Sequence, residues 1–518
     1  MRRFATSVLF ILIGSLCLLL ASHFHAFALA LPPAPGRLGY AVDPTRPHAT
    51  GYVLVRLAAG AARPAGLGQS VFGAWYRAPV GAGETAIAAV HRWAATPGVL
   101  LAELDYLFAA DPISDLPSPT SNFQSPITTP QSALTPLRPS FTPNDPLYPR
   151  QWNFAPIQAP AAWETSRGSG VVVAVVDSGV SQGSDLACRT FVDEYNVLTD
   201  QSGPGTAADN FGHGTHVAGS IAQCTDNDMG VAGVAFEAEI MPVKVLDASG
   251  NGSFGNVAKG VDWARQHGAD IVNLSLGGPC GSLTWPACSN SILNEAISQT
   301  AASGIVIVAA GGNSNQQTVM FPANHPEVIA VAGVDYALNR APYSNRGAAL
   351  SLSAPGGNIN ADLNADGFPD GILQQTYERG VWEYKYKHGT SMAAAQVSGI
   401  VALLWSYVPQ ADRQQIRQAL QDTALDLGAP GKDNDTGYGL VQIADALAAL
   451  SAAAATATPT STPTETPTVT PTTTATETPT VTPTATTTET PTVTPTPARS
   501  LYLPLWLAAQ APASAVGR

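Results

Sequence analysis

Residues 171–176 read Val-Val-Val-Ala-Val-Val and are followed at once by Asp177-Ser178-Gly179-Val180. Six apolar residues without a polar interruption predict a strand at Val171–Val176 buried on both faces, because a half-exposed strand would alternate polar and apolar positions. Working outward, Ile240–Val245, Ile271–Leu274, Ile305–Ala309 and Val328–Val331 repeat the pattern, with helix-length segments between them. Such runs spaced by helices predict an α/β fold, three layers deep, around a mainly parallel central sheet. The pattern holds over residues 144–450, and a stretch of that length is ample for one large core.

The flanks read differently. Residues 31–112 predict a small α+β unit, with strands at Tyr52–Leu57 and Val99–Phe108 and a helix at Ala82–Ala95. Residues 113–143 are rich in Pro, Ser and Thr and form a linker of the exposed kind that proteases cut. Residues 1–30 have the parts of a secretory signal: Arg2 and Arg3, an apolar stretch from Val8 to Leu20, and Ala28-Leu29-Ala30 as a small-x-small cleavage site. That apolar stretch is shorter than the roughly 20 residues a spanning helix needs, so removal is expected and no membrane span remains. Residues 451–497 are almost entirely Thr and Pro, and Thr-Glu-Thr-Pro-Thr-Val-Thr-Pro-Thr recurs from Thr464, Thr476 and Thr488. This segment predicts an extended stalk suited to O-linked sugars. An apolar run, Leu501 to Leu507, marks the tail, residues 498–518, as a candidate for cell-surface association.

Charged residues make up 12% of the 518, and the formal net charge is −13. A nucleic-acid or anionic-membrane binder needs clustered Lys and Arg, so that class is excluded. The balance suits an extracellular protein, in which acidic side chains also serve calcium. Of the five cysteines, Cys17 leaves with the signal. The remaining four suit disulfides in an exported chain. Cys280 and Cys288 flank a short Gly/Pro loop and pair naturally, leaving Cys188 with Cys224; spacing does not exclude the two other connectivities.

Three residues stand where chemistry is expected. Asp177 follows a buried strand, and active-site groups collect at the carboxyl ends of parallel strands. His213 begins His-Gly-Thr-His-Val-Ala-Gly; its neighbour His216 would suggest a metal pair, but no third zinc ligand of matching context appears. Ser391 stands in Gly-Thr-Ser-Met-Ala-Ala-Ala at the start of a helix reaching to about Tyr407. Gly389 before it admits close approach of a substrate, and the helix amino terminus favours the negative charge of a tetrahedral intermediate.

Val-Asp-Ser-Gly-Val, Gly-His-Gly-Thr-His-Val-Ala-Gly and Gly-Thr-Ser-Met-Ala-Ala, in this order, resemble the three signatures of the subtilases, most of all their thermitase branch, over residues 144 to 449. The resemblance implies a secreted serine endopeptidase. In it Ser391 attacks the scissile carbonyl, His213 relays the proton and Asp177 orients the imidazole. It also implies that Asn313, in Ala-Ala-Gly-Gly-Asn, donates to the oxyanion beside the Ser391 N–H. Protein substrates would bind as an added strand. Ser275-Leu276-Gly277 and Ala309-Ala310-Gly311 match the walls of the family's primary pocket, and Gly252-Ser253-Phe254 its third substrate-binding segment. Small walls imply room for a large apolar side chain before the cut, with Met320 narrowing the floor. After Ser391 the family continues with Pro and His where this chain has Ala395 and Gln396, a departure expected to affect packing and not chemistry.

Asp362, Asn364, Asp366, the carbonyl of Phe368 and Asp370 alternate around Gly367 with the spacing of a dockerin-like calcium loop. A second Ca2+ site follows from the resemblance: Asp145, Asp185 and Asn227 supply side chains, and Cys224, Met229 and Val231 supply carbonyls. Residues 31–112 are similar to the family's propeptide, clearest at Thr96-Pro-Gly-Val-Leu-Leu-Ala-Glu-Leu-Asp-Tyr106, and the resemblance implies an intramolecular inhibitor removed by cleavage between Asp111 and Asn144. The enzyme is read as a monomer.

Overall fold

The computed structural model describes residues 46–109, 140–278 and 290–457. The signal, most of the linker, nearly all of the stalk, the tail and the Cys280–Cys288 pair lie outside the described residues. In the small amino-terminal unit, β1 (Tyr52–Leu57), β2 (Ser70–Phe72), β3 (Trp75–Pro79) and β4 (Val99–Glu103) form an antiparallel sheet in the order β2-β3-β1-β4. Helix α1 (Ala86–Ala94) packs against it through Ala86, Ala89, Val90 and Trp93, a spacing that puts all four on one face. It is shorter than the expected Ala82–Ala95, because the Thr85 hydroxyl caps it by accepting the Ala88 N–H at 3.2 Å.

The expected strand Val99–Phe108 is in fact two. It breaks after Glu103, and β5 (Leu107–Ala109) leaves the sheet. At the break Asp105 is fully buried, and its carboxylate accepts the Gly255 N–H at 2.9 Å and the Tyr52 hydroxyl at 3.0 Å. A continuous strand would not deliver that carboxylate into the interface.

In the main body the central sheet comprises β6 (Val172–Asp177), β7 (Tyr195–Asn196), β8 (Gln201–Ser202), β9 (Glu239–Lys244), β11 (Ile271–Leu274), β12 (Val306–Ala310), β13 (Val328–Val334) and β14 (Leu352–Pro355). Their order is β14-β13-β12-β11-β6-β9-β7-β8, parallel throughout except between β7 and β8. Side chains alternate between two cores. Val173, Val175, Ile271 and Val308 face one side, with Val217 and Ile221 of α3 (His213–Ala222) and Val397 and Ile400 of α6 (Thr390–Tyr407). Ala174, Val176, Val272 and Ile307 face the other, with Val257 and Val261 of α4 (Phe254–Gln266) and Ile292 and Ile297 of α5 (Ser291–Ala302). Burial on both faces is why these strands read as unbroken apolar runs. Beyond them, α2 (Ala159–Ala162), α7 (Arg413–Asp422) and α8 (Ile443–Ala457) complete the layer on the α6 side.

Each departure from the sequence reading has a local cause. Phe141 already packs against Trp163 and Phe236, so the body begins before residue 144. The alanine-rich end of α8 carries the helix to Ala457, past the expected boundary at 450, as alanine's helix propensity favours. A hairpin of β15 (Ile372–Glu378) and β16 (Val381–Lys387), which the apolar pattern did not announce, leads into α6. The Cys188–Cys224 disulfide is present, with the Cα atoms 5.9 Å apart. Among the described residues no helix is long and apolar enough to cross a membrane.

Candidate active site

Asp177 ends β6, His213 opens α3 and Ser391 lies in the first turn of α6, so three different elements deliver them. Asp177 is fully buried, and His213 Nδ1 lies 2.8 Å from its Oδ1 and 3.0 Å from its Oδ2. A proton on Nδ1 serves that carboxylate and leaves Nε2 as the imidazole's acceptor. The Ser178 N–H also donates to Asp177 Oδ1, at 2.7 Å.

Ser391 is held from the other side. Its hydroxyl donates to the Ser275 carbonyl at 3.0 Å, and its own carbonyl accepts the Ser275 hydroxyl at 2.8 Å. Behind Ser275 a buried relay continues: the Asn273 amide donates to the Ser275 hydroxyl at 3.0 Å, and the Ser398 hydroxyl donates to Asn273 Oδ1 at 2.9 Å. This relay ties β11 to α6 under the serine.

Asn313 Oδ1 accepts both the N–H and the hydroxyl of Thr390, each at 2.8 Å. The amide is thereby oriented with Nδ2 toward Gly389. A methyl group built on Gly389 would lie 3.2 Å from Asn313 Nδ2 and 3.7 Å from Ser391 N, so both donors border one small space. Gly389 keeps that space open, and its φ of 148° is one that side-chain-bearing residues avoid.

Ser275, Leu276, Ala309 and Ala310 are buried, and Met320 closes between the two walls. Its N–H donates to the Gly311 carbonyl at 3.0 Å, and its methyl would stand 2.9 Å from a Cβ on Gly277. Gly252 and Ser253 lie in β10 (Asn251–Ser253), which pairs antiparallel with β5 in the register Gly252↔Phe108 and Ser253↔Leu107. Phe108 is buried there and stacks on Phe254 with ring centres 5.1 Å apart.

The second histidine is not part of this arrangement. The buried His216 Nε2 is 3.1 Å from the carbonyls of Ile372 and Lys385, and burial and the nearby Lys387 hold its imidazole well below the usual range. Gln396 is a buried hub: its amide donates to the carbonyls of Pro355 and Met392 and its oxygen accepts from Asn153. The departure at 395–396 therefore acts on packing.

The residues expected to hold calcium form two groups. Asp145 accepts the N–H groups of Asp226 and Asn227, while Asp185 accepts the Asn227 amide at 3.0 Å, the Val231 N–H at 3.2 Å and the Tyr384 hydroxyl at 3.2 Å. Cys224 and Met229 belong to the same loop: the Cys224 N–H donates to the Asp185 carbonyl, and the Met229 N–H to Asn227 Oδ1. Asp185 is fully buried with neutral donors alone, and burial pushes its carboxyl up to about 6. In the second loop, Asp362 accepts the N–H groups of Asp366 and Gly367, and Asp366 those of Phe368 and of the Asn364 amide. Asp370 Oδ1 is buried without a hydrogen-bond partner, and burial raises this carboxyl to about 6. Among the described residues no three Asp, Glu, His or Cys side chains converge on one point.

Sequence reasoning missed Ser178, Asp209, Lys244 and Asn273, which surround the three residues from behind.

The profile of the Subtilase family matches residues 168–439. Subtilisin Savinase from Lederbergia lenta is 39% identical over 294 residues, 56% of this chain and 96% of that protein. M-protease from Shouchella clausii is 39% identical over 294 residues, 56% of this chain and 68% of its own length. Fervidolysin from Fervidobacterium pennivorans is 37% identical over 302 residues, 55% of this chain and 42% of its own. A solved protease structure from Pseudoalteromonas arctica gives a TM-score of 0.53 at 33% identity, covering 60% of this chain and 99% of that one. With more than half its length inside that family profile, and with Asp177, His213 and Ser391 disposed as described, the chain belongs to the subtilase family and is a serine endopeptidase.

Proposed function

We propose that the protein is exported as a pre-pro-enzyme and cleaves proteins through an acyl-enzyme formed on Ser391. The single observation that carries this reading is the two-oxygen contact of Asp177 with His213 Nδ1, at 2.8 and 3.0 Å. It fixes the tautomer in which Nε2 takes the Ser391 proton and returns it to the leaving amine. The serine hydroxyl rests on the Ser275 carbonyl and must turn from it to give its proton to His213. As the tetrahedral intermediate forms, its oxyanion takes hydrogen bonds from Asn313 Nδ2 and the Ser391 N–H. Collapse breaks the C–N bond and leaves an acyl-serine, which water attacks by the same proton path. The apolar walls favour a large apolar residue before the cut, with Met320 narrowing the floor of the pocket.

The small unit serves as an inhibitory propeptide. The pairing of β5 with β10 supports this, because it fills the edge on which a substrate strand would lie. Calcium fits the first loop best, since a buried carboxylate with neutral donors alone lacks a counter-charge. Asp145, Asp185, Asn227 and the carbonyls of Cys224, Met229 and Val231 would hold it. Asp362, Asn364, Asp366, Phe368 and Asp370 would hold a second ion, with Asp370 Oδ1 the oxygen left over for it. Bound calcium ties loops together and adds stability by mass action.

The test is casein hydrolysis by wild-type protein and by Ser391→Ala, each in calcium and in EGTA. Activity lost in the variant and weakened by EGTA is expected. A processed wild-type protein that cleaves none of a panel of unrelated denatured proteins would overturn the broad endopeptidase reading.

A further inference from the structure

We propose that Asp209 is a positioning residue for the Asp177–His213 pair, acting through the two segments that carry them; this rests on the roles proposed above for those two residues. Asp209 is 2% exposed. Its Oδ1 accepts the Ser178 hydroxyl and the N–H groups of Phe211 and Gly212, each at 2.9 Å. Its Oδ2 accepts the Thr215 N–H at 2.9 Å and the Thr215 hydroxyl at 2.7 Å. All five donors lie beside one of the two partners. Phe211, Gly212 and Thr215 surround His213, while Ser178 follows Asp177 and gives its N–H to the Asp177 carboxylate. The Ser178 hydroxyl also accepts the Gly214 N–H at 2.9 Å, so one side chain bridges the end of β6 to the first turn of α3. A buried carboxylate with five donors has little freedom to shift, and both segments are fastened to it.

Asp209 also acts through its charge. His213 is the first residue of α3, where the helix terminus opposes the positive imidazolium that forms during catalysis. The other charged groups around this end are mixed in sign. Asp177 comes from β6. Lys244 comes from β9, with Nζ bonded to the Ser178 carbonyl and to Asn210 Oδ1. Lys387 and Glu378 come from the hairpin, Lys387 Nζ lying 3.1 Å from the Gly212 carbonyl and 2.6 Å from Glu378 Oε1. His216, on α3 itself, is neutral through burial. Two buried ammonium groups and a helix terminus thus surround the histidine, and Asp209 is the carboxylate that accepts the N–H groups of Phe211 and Gly212 just before that helix and of Thr215 within it.

The experiment is steady-state kinetics on a peptide substrate, with active sites counted by acyl-enzyme titration, for wild type, Asp209→Asn, Asp209→Glu and Ser178→Ala. Asp209→Asn is expected to lower kcat about 10- to 100-fold with KM nearly unchanged, as for other groups that position a general base. It is also expected to move the acid limb of the kcat/KM profile to lower pH, because the imidazolium loses a nearby negative charge. Asp209→Glu restores the limb without restoring kcat. Ser178→Ala, which keeps the carboxylate, lowers kcat and leaves the limb in place. Wild-type kcat and an unmoved limb in folded Asp209→Asn would overturn the proposal. Should that variant fail to fold, wild-type kcat in Ser178→Ala would overturn it instead. A Ser391→Ala control that keeps activity would reject the underlying assignment separately.

Discussion

At the scale of single residues, the candidate site depends on small groups held by neighbours that the motifs do not contain. Asn313 is oriented by Thr390, and Ser391 by Ser275 and the relay behind it. Asn313→Ala should lower kcat about 100- to 1000-fold with little change in KM, the magnitude of the corresponding loss in subtilisin. Gly389→Ala should be damaging for a different reason. Its methyl would crowd Asn313 Nδ2 at 3.2 Å and force a strained φ, so a loss of about 10-fold or more in kcat is expected from misplacing the donors. Kinetics of both variants, with melting curves to show that they fold, check the pair. Asp177, His213, Ser391 and Asn313 were legible because each stands in a motif whose neighbours are fixed by close packing. Asp209 and Asn273 were harder to see, since a buried polar residue at a loop or strand position looks in sequence like any solvated one.

At the scale of elements, the two acidic residues at the end of the small sheet meet two helix starts of the main body. Asp105 accepts from Gly255 at the start of α4, and Glu103 from Ile292 at the start of α5. Among the described residues Glu103 has no ion-pair partner, and burial pushes its carboxyl up to about 7, with Asp105 beside it adding to the rise. If, as proposed, the small unit is released and Glu103 meets water, its carboxyl returns toward the ordinary value of 4.5. The bound form therefore holds the proton more tightly. Association is strongest below 4.5, weakens as pH rises toward about 7, and levels off above it. Over that window the affinity should fall by about two orders of magnitude, and Glu103→Gln should reduce the dependence, with Asp105 beside it raised by burial in the same direction. Gel filtration of the cleaved but still associated complex between pH 4 and pH 8, in ~1-unit steps, checks this by the fraction that separates. The buried strands were the most legible elements, because burial on two faces leaves only apolar residues to choose from. The β15–β16 hairpin was not, since Gln374, Gln375 and Thr376 are buried yet polar and break the apolar run. The division of residues 99–108 was hidden for a related reason: its cause is a hydrogen bond to Gly255, about 150 residues away in sequence.

At the scale of the whole molecule, the small unit and the main body share one apolar core, with Leu104, Tyr106 and Phe108 packed in the same cluster as Phe254 and Val257. Trp75 Nε1 and Arg56 both reach Glu295 on α5, at 2.9 and 3.0 Å. An enzyme built this way should be recovered with a new amino terminus between Asp111 and Asn144, and sequencing of the secreted protein checks it; a chain beginning near Leu31 would show that the unit is permanent. The edge pairing of β5 with β10 has one more consequence. If the small unit acts as the propeptide proposed above, a blocking strand still joined to the body meets its groove at an effective concentration on the order of millimolar. On that reading, cleavage changes inhibition from a property of the molecule into a property of its surroundings. Enzyme ripening in a crowded space beside the cell that made it would stay silent. It would awaken as it diffused away, with dilution as its timer.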